Sequence, residues 1–305
     1  MQQFGMPFAA ESSDARFAGS YGADMYADTI EGFAKVAEKK LAALRESPGG
    51  FFVSSMLAGA YVGMGIILIF VLGNQAPVEV RKLIMGATFG IALTLVIIAG
   101  AELFTGHTMF MSLRAFGGAG SLRDIAASWS MTWIGNLAGS LALVALFAAG
   151  GGGGILAAPD TLLMQVASLK MNDSALALFA RAILCNWLVC LAIWMSARVN
   201  SDSAKCIVIF WCLLAFIASG FEHSVANMTL LGLSLVGNHP ATVSVGGFAW
   251  NLLWVTLGNI VGGAVFVAGA YQVSTHGFPV PAAPGERALR PVTAEAVVEP
   301  LRRTG

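Results

Sequence analysis

The sequence predicts an all-α membrane protein of six spans, two of which are broken near their middle. Of the 305 residues, 57% are hydrophobic and only 11% are charged, a composition typical of a multi-pass membrane protein and not of a soluble domain. Two apolar stretches, residues 100–109 and 220–228, are each interrupted by glycine, glutamate and histidine. Such groups are costly in lipid, so they are expected to face a protein interior or a water-filled path.

The two interruptions indicate an internal repeat. Gly100 and Glu102 lie 120 positions before Gly220 and Glu222. A second pair of motifs has nearly the same spacing: Gly-Asn-Leu-Ala-Gly begins at residue 135, and Gly-Asn-Ile-Val-Gly begins 123 positions later, at residue 258. We therefore expect two halves of about 120 residues, each with one broken helix.

The chain before the first span divides into two parts. Residues 1–26 have no hydrophobic period and are expected to be disordered. Residues 27–47 predict a cytoplasmic amphipathic helix, which would lie on the membrane surface or dock on a neighbouring subunit. Its apolar face consists of Ile30, Phe33, Ala34, Ala37, Leu41 and Leu44. No basic region precedes an apolar one here, so no cleavable signal peptide is predicted.

The membrane channel domain is predicted over residues 48–275. Its six spans are expected at residues 51–72, 83–113, 125–149, 174–197, 205–235 and 245–271. The second span is expected to break at residues 102–108 and the fifth at residues 220–224. The remaining residues, 276–305, are rich in proline and arginine and predict a flexible cytoplasmic tail.

Basic residues predict the orientation. Six spans put both termini on one side, which would hold thirteen Lys and Arg residues, whereas the other side would hold only Arg81, Lys82 and Lys170. This distribution places both termini in the cytoplasm. Arg181 lies inside the fourth span, where it would either snorkel or pair internally. A net charge of zero argues against a nucleic-acid partner.

The four cysteines all lie in apolar spans, without metal-ligand spacing. We interpret them as buried small hydrophobic residues, and no metal or cofactor is predicted.

Four stretches closely resemble the formate/nitrite transporter family. They are Gly-Ala-Thr-Phe-Gly from residue 86, Gly-Ala-Glu-Leu-Phe-Thr-Gly from residue 100, Cys-Asn-Trp-Leu-Val-Cys from residue 185 and Ala-Ser-Gly-Phe-Glu-His-Ser-Val-Ala-Asn-Met from residue 218. The resemblance covers about residues 28–275. Thr-Gly-His-Thr-Met-Phe from residue 105 and Trp-Cys-Leu-Leu-Ala-Phe from residue 211 are similar to its nitrite-channel branch.

The resemblance implies a fold, an assembly and a function. The fold would be an aquaporin-like six-helix bundle built as an inverted repeat with two broken helices. The assembly would be a homopentamer in the bacterial inner membrane, with one pore per protomer. The function would be transport of small monovalent anions, with nitrite favoured and formate or hydrosulfide as alternatives.

His223 is the principal candidate functional residue. It is the ionisable group of the fifth-span break that can carry a positive charge, and an imidazole titrates near neutral pH. An anion crossing an apolar passage faces a desolvation cost of many kcal/mol. His223 could lower that cost by pairing with the anion or by passing it a proton. A satisfied structural histidine is the alternative interpretation.

The resemblance also assigns roles to other residues. His223 matches the family's central pore histidine, Thr105 and Asn186 match polar residues near it, and Lys170 matches its outer-vestibule lysine. The residues of two apolar constrictions would be Phe89, Leu93 and Leu103 in one and Val189 and Phe216 in the other. The groups that hold the broken ends would be Glu102, Glu222 and Asn227. His107 would either line the cytoplasmic mouth or face a loop. No catalytic residue is predicted.

Two other functional classes fit parts of the sequence. A membrane redox subunit with bis-histidine haem would need paired histidines on facing spans, and only His223 lies deep in a span. A neutral-solute channel of the aquaporin type would be expected to carry two Asn-Pro-Ala breaks, which this chain lacks.

Overall fold

The computed structural model describes residues 14–277, with side chains from Met25 onward. Within this range the chain forms ten α-helices. They are α1 Asp14–Glu46, α2 Pro48–Gln75, α3 Val78–Gly100, α4 Phe104–Phe116, α5 Leu122–Ala149, α6 Leu162–Asn172, α7 Ala175–Arg198, α8 Asp202–Ala218, α9 Ser224–Val236 and α10 Val245–His276. α3 ends in a π-helical turn at Leu95–Gly100, and α10 contains another at Gly262–Gly269.

Five of these helices are long and apolar enough to cross a membrane, namely α2, α3, α5, α7 and α10. α8 and α9 contain 17 and 13 residues, and a short break separates them. The described chain is therefore an all-helical, multi-pass membrane protein, as the composition predicted.

α1 begins earlier than the sequence predicted. It starts at Asp14, whereas the predicted boundary between a disordered segment and a helix was residue 27. Residues 14–26 contain no proline, and extending an existing helix costs much less than starting one, so the helix continues towards the N-terminus. Residues 1–13 and the predicted tail after Gly277 lie outside the described residues.

The apolar face of α1 packs on helices of its own chain, whereas the sequence predicted contact with lipid or a neighbouring subunit. Phe33 stacks on Phe110 of α4 and Trp194 of α7, with ring centroids 5.4 and 5.6 Å away. Tyr26 adds an edge-on contact, 5.0 Å between centroids, with Tyr271 of α10. These contacts bury the apolar face of α1 on the helix bundle.

The break after α3 is shorter than predicted. It covers residues 101–103, so Thr105 and His107 of the predicted break, 102–108, lie inside α4. Gly100 has a φ of +85°, a conformation that glycine adopts without strain, and this residue ends the helix. The polar side chains of α4 are tolerated because they find partners; Thr108, for example, donates a hydrogen bond of 2.7 Å to the Thr105 carbonyl.

The break between α8 and α9 lies within one residue of its predicted position. It covers residues 219–223, and Gly220 has a φ of +72°. Gly100 and Gly220, which are 120 positions apart, therefore turn the chain in the same way at the two breaks.

Glycines let the long helices approach closely. A Cβ at Gly139 of α5 would overlap the Met56 carbonyl of α2, and one at Gly258 of α10 would overlap the Phe179 carbonyl of α7. Gly135 and Gly262 make similarly close contacts. The two Gly-x-x-x-Gly motifs found in the sequence are thus helix-packing motifs of the kind common in membranes.

Three cysteines are buried, as predicted: Cys185, Cys190 and Cys212. Cys206, near the start of α8, is exposed.

Candidate pore site

Three cavities lie in series through the helix bundle. The first vestibule, of about 960 Å³, is lined by Lys40, Glu102 and Leu103 among others. The second vestibule, of about 300 Å³, is lined by Lys170, Phe216 and His223 among others. A small central cavity between them shares Leu103 with the first vestibule, and Phe216 and His223 with the second. The three cavities are therefore neighbours in a row, and together they outline a path through the bundle.

The central cavity is the narrowest part of this path. Its volume of about 10 Å³ is near the minimum that holds one water molecule. Its lining is apolar apart from one histidine and consists of Val62, Phe89, Ala92, Leu93, Leu103, Val189, Leu213, Phe216 and His223. An anion entering this space would lose nearly all of its hydration shell, so the central cavity is the main barrier of the path.

The residues predicted for two separate constrictions surround this single cavity. All five, Phe89, Leu93, Leu103, Val189 and Phe216, belong to its lining. The rings of Phe89 and Phe216, which were predicted for different constrictions, make an edge-to-face contact with centroids 5.5 Å apart.

His223 lies in the second break, directly before α9. Its Nδ1 accepts a hydrogen bond of 3.1 Å from the backbone N–H of Ala226, which makes this side chain the N-cap of α9. Because Nδ1 is an acceptor, the hydrogen of the neutral ring must be on Nε2. Nε2 lies 3.2 Å from Thr105 Oγ1, and Phe216 stacks nearly parallel to the ring with centroids 6.1 Å apart.

This geometry leaves one nitrogen of His223 available for chemistry. The backbone of α9 fixes the ring through Nδ1, while Nε2 faces the hydroxyl of Thr105, which is fully buried and is not among the described residues that line the three cavities. An Nε2–H group in this place can donate a hydrogen bond to an anion. A protonated ring can also pass it a proton, but in that state Nδ1 carries a hydrogen and no longer accepts from the Ala226 N–H. Thr105 is therefore near His223, as the resemblance implied.

Asn186 lies next to Thr105 on the side away from His223. Like Thr105, it is fully buried and does not line any of the three cavities in the described part of the chain. Its Nδ2 donates to the Asn259 carbonyl at 2.6 Å and to Thr108 Oγ1 at 3.0 Å. A third, longer contact of 3.3 Å reaches the Thr105 carbonyl. Asn186, on α7, thus connects α4 with α10, and its contact with the Thr105 carbonyl helps to position Thr105.

Lys170 forms a buried ion pair instead of standing free at the mouth of the path. Its Nζ lies 2.7 Å from Glu222 Oε2, and the side chain of Glu222 is only 3% exposed. Asn227 Nδ2 donates to the same carboxylate at 2.7 Å and to Asn251 Oδ1 at 2.8 Å. Glu222 and Asn227 are therefore hydrogen-bonded to each other at the second break, and Lys170 belongs to the same network.

Arg181 pairs internally, which was one of its two predicted positions. It binds Asp173 in the connection before α7, and its guanidinium also lies 3.9 Å from Glu222 Oε1. Its hydrogen bond holds the pKa of the Asp173 carboxyl below its usual range.

The first break carries the same kind of network. Lys40 Nζ of α1 lies 2.5 Å from Glu102 Oε2, and His107 Nε2 lies 2.6 Å from the same oxygen. His107 is fully buried, and its Nδ1 lies 2.7 Å from Ser128 Oγ. His107 therefore faces neither a mouth nor a loop, the two positions that the sequence suggested.

Lys40 is a site residue that sequence reasoning missed, because its place in an amphipathic helix suggested a solvated charge. One signal was present. Glu102 precedes His107 by five positions, and Glu222 precedes Asn227 by five positions. This shared spacing makes His107 the equivalent of Asn227 in the repeat. It also indicates that Glu102 could have a lysine partner, as Glu222 has Lys170.

Asn136 and Asn259 hold the two breaks. In the sequence they were visible only as part of the repeated Gly-Asn motif. Asn136 Nδ2 donates to the carbonyls of Ser55 and Glu102 at 2.7 and 2.9 Å, and its Oδ1 accepts from the Phe104 N–H at 2.9 Å. Asn259 makes the corresponding three bonds. Its Nδ2 reaches the carbonyls of Ala182 and Glu222, and its Oδ1 accepts from the Ser224 N–H.

We expect Asn259→Ala to destabilise the protein strongly. The change leaves two buried backbone groups at the break, the Glu222 carbonyl and the Ser224 N–H, without partners, and each such group costs about 1–3 kcal/mol. The Ala182 carbonyl keeps its helical hydrogen bond inside α7. Thermal unfolding of the purified protein in detergent measures the effect. The control is Asn172→Ala, whose hydrogen bonds lie at the exposed surface. Equal melting temperatures for the two variants would contradict the proposed bracing role of Asn259.

Comparison with known proteins identifies the family of this chain. The formate/nitrite transporter family model matches residues 27–273. The chain is 53% identical over 251 residues to the nitrite transporter NirC of Escherichia coli (strain K12), an alignment that covers 82% of this chain and 93% of the relative. It is 38% identical over 272 residues to a probable formate transporter of Methanothermobacter thermautotrophicus, covering 80% of this chain and 94% of the relative.

Two solved structures share the fold. One is an FNT family ion channel, 52% identical, with a TM-score of 0.79 over 82% of this chain and 99% of that one. The other is a pentameric formate channel with formate bound, 30% identical, with a TM-score of 0.65 over 78% of this chain and 97% of that one. Because the family model and the relatives both match most of its length, the chain belongs to the formate/nitrite transporter family.

Proposed function

We propose that this protein is a membrane channel for small monovalent anions and that its substrate is nitrite. The observation that carries the proposal is the position of His223, which lines both the apolar central cavity and the second vestibule. The identity of 53% to a protein named as a nitrite transporter supports nitrite over other anions. As a channel, the protein would have no catalytic activity.

The residues along the path could lower the cost of moving an anion through the apolar cavity. An ion that leaves a vestibule loses its water at the central cavity, where apolar side chains offer no replacement. The Nε2–H of His223 would provide a hydrogen-bond donor there. Proton transfer to a weak-acid anion would remove its charge altogether; the donor would be a His223 ring protonated on both nitrogens, which gives up the Ala226 hydrogen bond at Nδ1 and returns to the neutral form after the transfer. The ion would then cross between Leu103 and Phe216 as a neutral molecule.

The proposed fold is an aquaporin-like bundle of six spans built as an inverted repeat. α3 with α4, and α8 with α9, would be the two broken spans. The matching hydrogen bonds of Asn136 and Asn259 support the repeat, as do the matching turns at Gly100 and Gly220. The membrane domain would cover residues 48–275, with α1 and the tail as cytoplasmic additions.

The proposed assembly is a homopentamer in the bacterial inner membrane. A structural relative described as a pentameric formate channel supports this assembly. Both termini would lie in the cytoplasm, because thirteen Lys and Arg residues fall on the side of the termini and three on the other. The second vestibule, with Lys170, would then open outwards.

Flux measurements test the substrate. The purified full-length protein in proteoliposomes is compared for nitrite, formate and hydrosulfide uptake between pH 5 and pH 8. We expect nitrite to be carried fastest. Formate is the second candidate, because one of the sequence relatives and one structural relative are named for it. A strong preference for formate would overturn the choice of nitrite.

Chemical labelling tests the orientation. In a Cys206→Ser background, a single cysteine is placed either at Ala119, in the exposed loop between α4 and α5, or at Ala157, in the exposed connection between α5 and α6. A membrane-impermeant maleimide added to intact spheroplasts should label Ala157→Cys and not Ala119→Cys. The reverse pattern would invert the proposed topology.

A further inference from the structure

The second vestibule carries positive charge that no ion pair of the described chain balances. Three basic residues line it, Arg81, Lys82 and Lys170, and no carboxylate is among the lining residues that the structure describes. Lys170 is compensated by Glu222 at 2.7 Å. Arg81 and Lys82, next to each other near the start of α3, are not in an ion pair within residues 25–277.

The surroundings of the two residues leave their charges available. Lys82 is exposed, and Arg81 is half-buried with one hydrogen bond of 3.3 Å from its guanidinium to the Ala76 carbonyl. The Arg81 Nε is buried and has no hydrogen-bond partner among the described atoms. Neither Glu79, two positions before Arg81, nor Asp160, two positions before the lining residue Leu162, lines the vestibule.

The first vestibule differs in its charge balance. Its lining contains two lysines and two carboxylates, and they form two pairs: Lys40 with Glu102 at 2.5 Å, and Lys205 with Asp202 at 2.9 Å. The lining of the first vestibule is therefore neutral overall. The lining of the second vestibule keeps two positive charges after the Lys170 pair is taken into account.

We propose that Arg81 and Lys82 form an anion-collecting site at the mouth of the second vestibule, so that transport saturates at a lower anion concentration from this side than from the other. The ligand class is a small monovalent anion held by charge and not by a shaped pocket. This inference rests on the proposed function, since it concerns how the same pore is loaded. Lys170, deeper in the vestibule, would act after this site as part of the buried network.

The size of the effect follows from the Coulomb energy. In water, a unit charge about 7 Å away changes the local concentration of a monovalent ion by roughly threefold. Both entrances lead to the same central cavity, so the asymmetry changes the concentration dependence on each side but leaves the equilibrium across the membrane unchanged. Exposed charge is screened over about 8 Å at physiological ionic strength, so salt should weaken the effect.

The test compares two membrane preparations that contain the full-length protein. Initial nitrite and formate uptake are measured against concentration in right-side-out and inside-out vesicles, with potassium gluconate to vary ionic strength. We expect a several-fold lower half-saturation concentration in right-side-out vesicles. Lys82→Gln should raise that value about threefold in right-side-out vesicles only. Potassium gluconate at high concentration should remove most of the difference.

Matched variants distinguish the effect of the lost charge from an effect of a disturbed helix. Lys82→Arg keeps the charge and should behave as the wild type. Glu79→Gln changes a residue of the same helix turn that does not line the vestibule, and it should not raise the half-saturation concentration. Arg81→Gln with Lys82→Gln should have a larger effect than Lys82→Gln alone.

The outcomes distinguish this inference from the proposed function. Measurable flux with equal half-saturation on both sides, unchanged in Lys82→Gln, overturns the collecting site and leaves the channel function standing. An equal rise in Glu79→Gln would also overturn it, because the cause would then be a disturbed helix. If neither anion is carried in either orientation, both proposals are wrong.

Discussion

His223→Ala is expected to lower nitrite flux roughly 10- to 100-fold, because it removes a hydrogen bond to a charged group worth about 1.5–3 kcal/mol. The loss arises at the central cavity, where no other lining residue carries a polar side chain. Stopped-flow uptake into proteoliposomes measures it. A second signature concerns pH: wild-type flux should vary across the range in which an imidazole titrates, and this variation should disappear in the variant.

The variant also removes the N-cap of α9, so a structural control is needed. His223→Asn keeps a side-chain oxygen that can accept the Ala226 N–H, but it cannot carry a proton. We expect His223→Asn to assemble normally, to give intermediate flux and to lack the pH dependence. Flux equal to the wild type in both variants at every pH from 5 to 8 would show that His223 has only a structural role.

The sequence was sufficient to predict the breaks, because the bilayer restricts what a polar interruption can be. Glycine, glutamate and histidine inside an apolar run are stable only where the protein supplies partners, so their presence alone marked both interruptions. Their boundaries were less predictable. The first break ends at Leu103 because Thr105, His107 and Thr108 find partners within the bundle, and such partners cannot be identified from one segment alone.

Contacts between distant elements were the part that sequence could not supply. Lys40 and Glu102 are 62 positions apart, and nothing in the helical pattern of α1 shows which way Lys40 points. Lys170 was likewise predicted to be a free vestibule charge, because its pairing with Glu222 depends on how α6 lies over the second break. Asn136 and Asn259 were visible as a repeated motif, but their function requires the geometry of the break that each one holds.

The ion pair of Lys170 changes what its removal should do. A free mouth charge would give a loss that salt suppresses, and that was the expectation from its assignment as a vestibule lysine. In the structure, Lys170→Ala instead leaves the Glu222 carboxylate buried, without its closest cation and beside the path. Arg181 stays 3.9 Å from this carboxylate, but it is shared with Asp173 and compensates only part of the charge. At an effective dielectric constant of about 20, an unbalanced negative charge roughly 7 Å away opposes an anion by about 2 kcal/mol, or about 30-fold in flux.

We therefore expect Lys170→Ala to reduce nitrite flux about 30-fold at all ionic strengths, because buried charges are poorly screened. Adding Glu222→Gln to Lys170→Ala should restore most of the flux, since glutamine removes the charge and keeps an oxygen that accepts from Asn227. The matched control is Lys205→Ala, whose partner Asp202 is 83% exposed, so its removal should have little effect. If Lys170→Ala loses flux only at low salt, or if Glu222→Gln fails to rescue it, then Lys170 acts as a free vestibule charge and the buried pair is not the reason that the pore needs it.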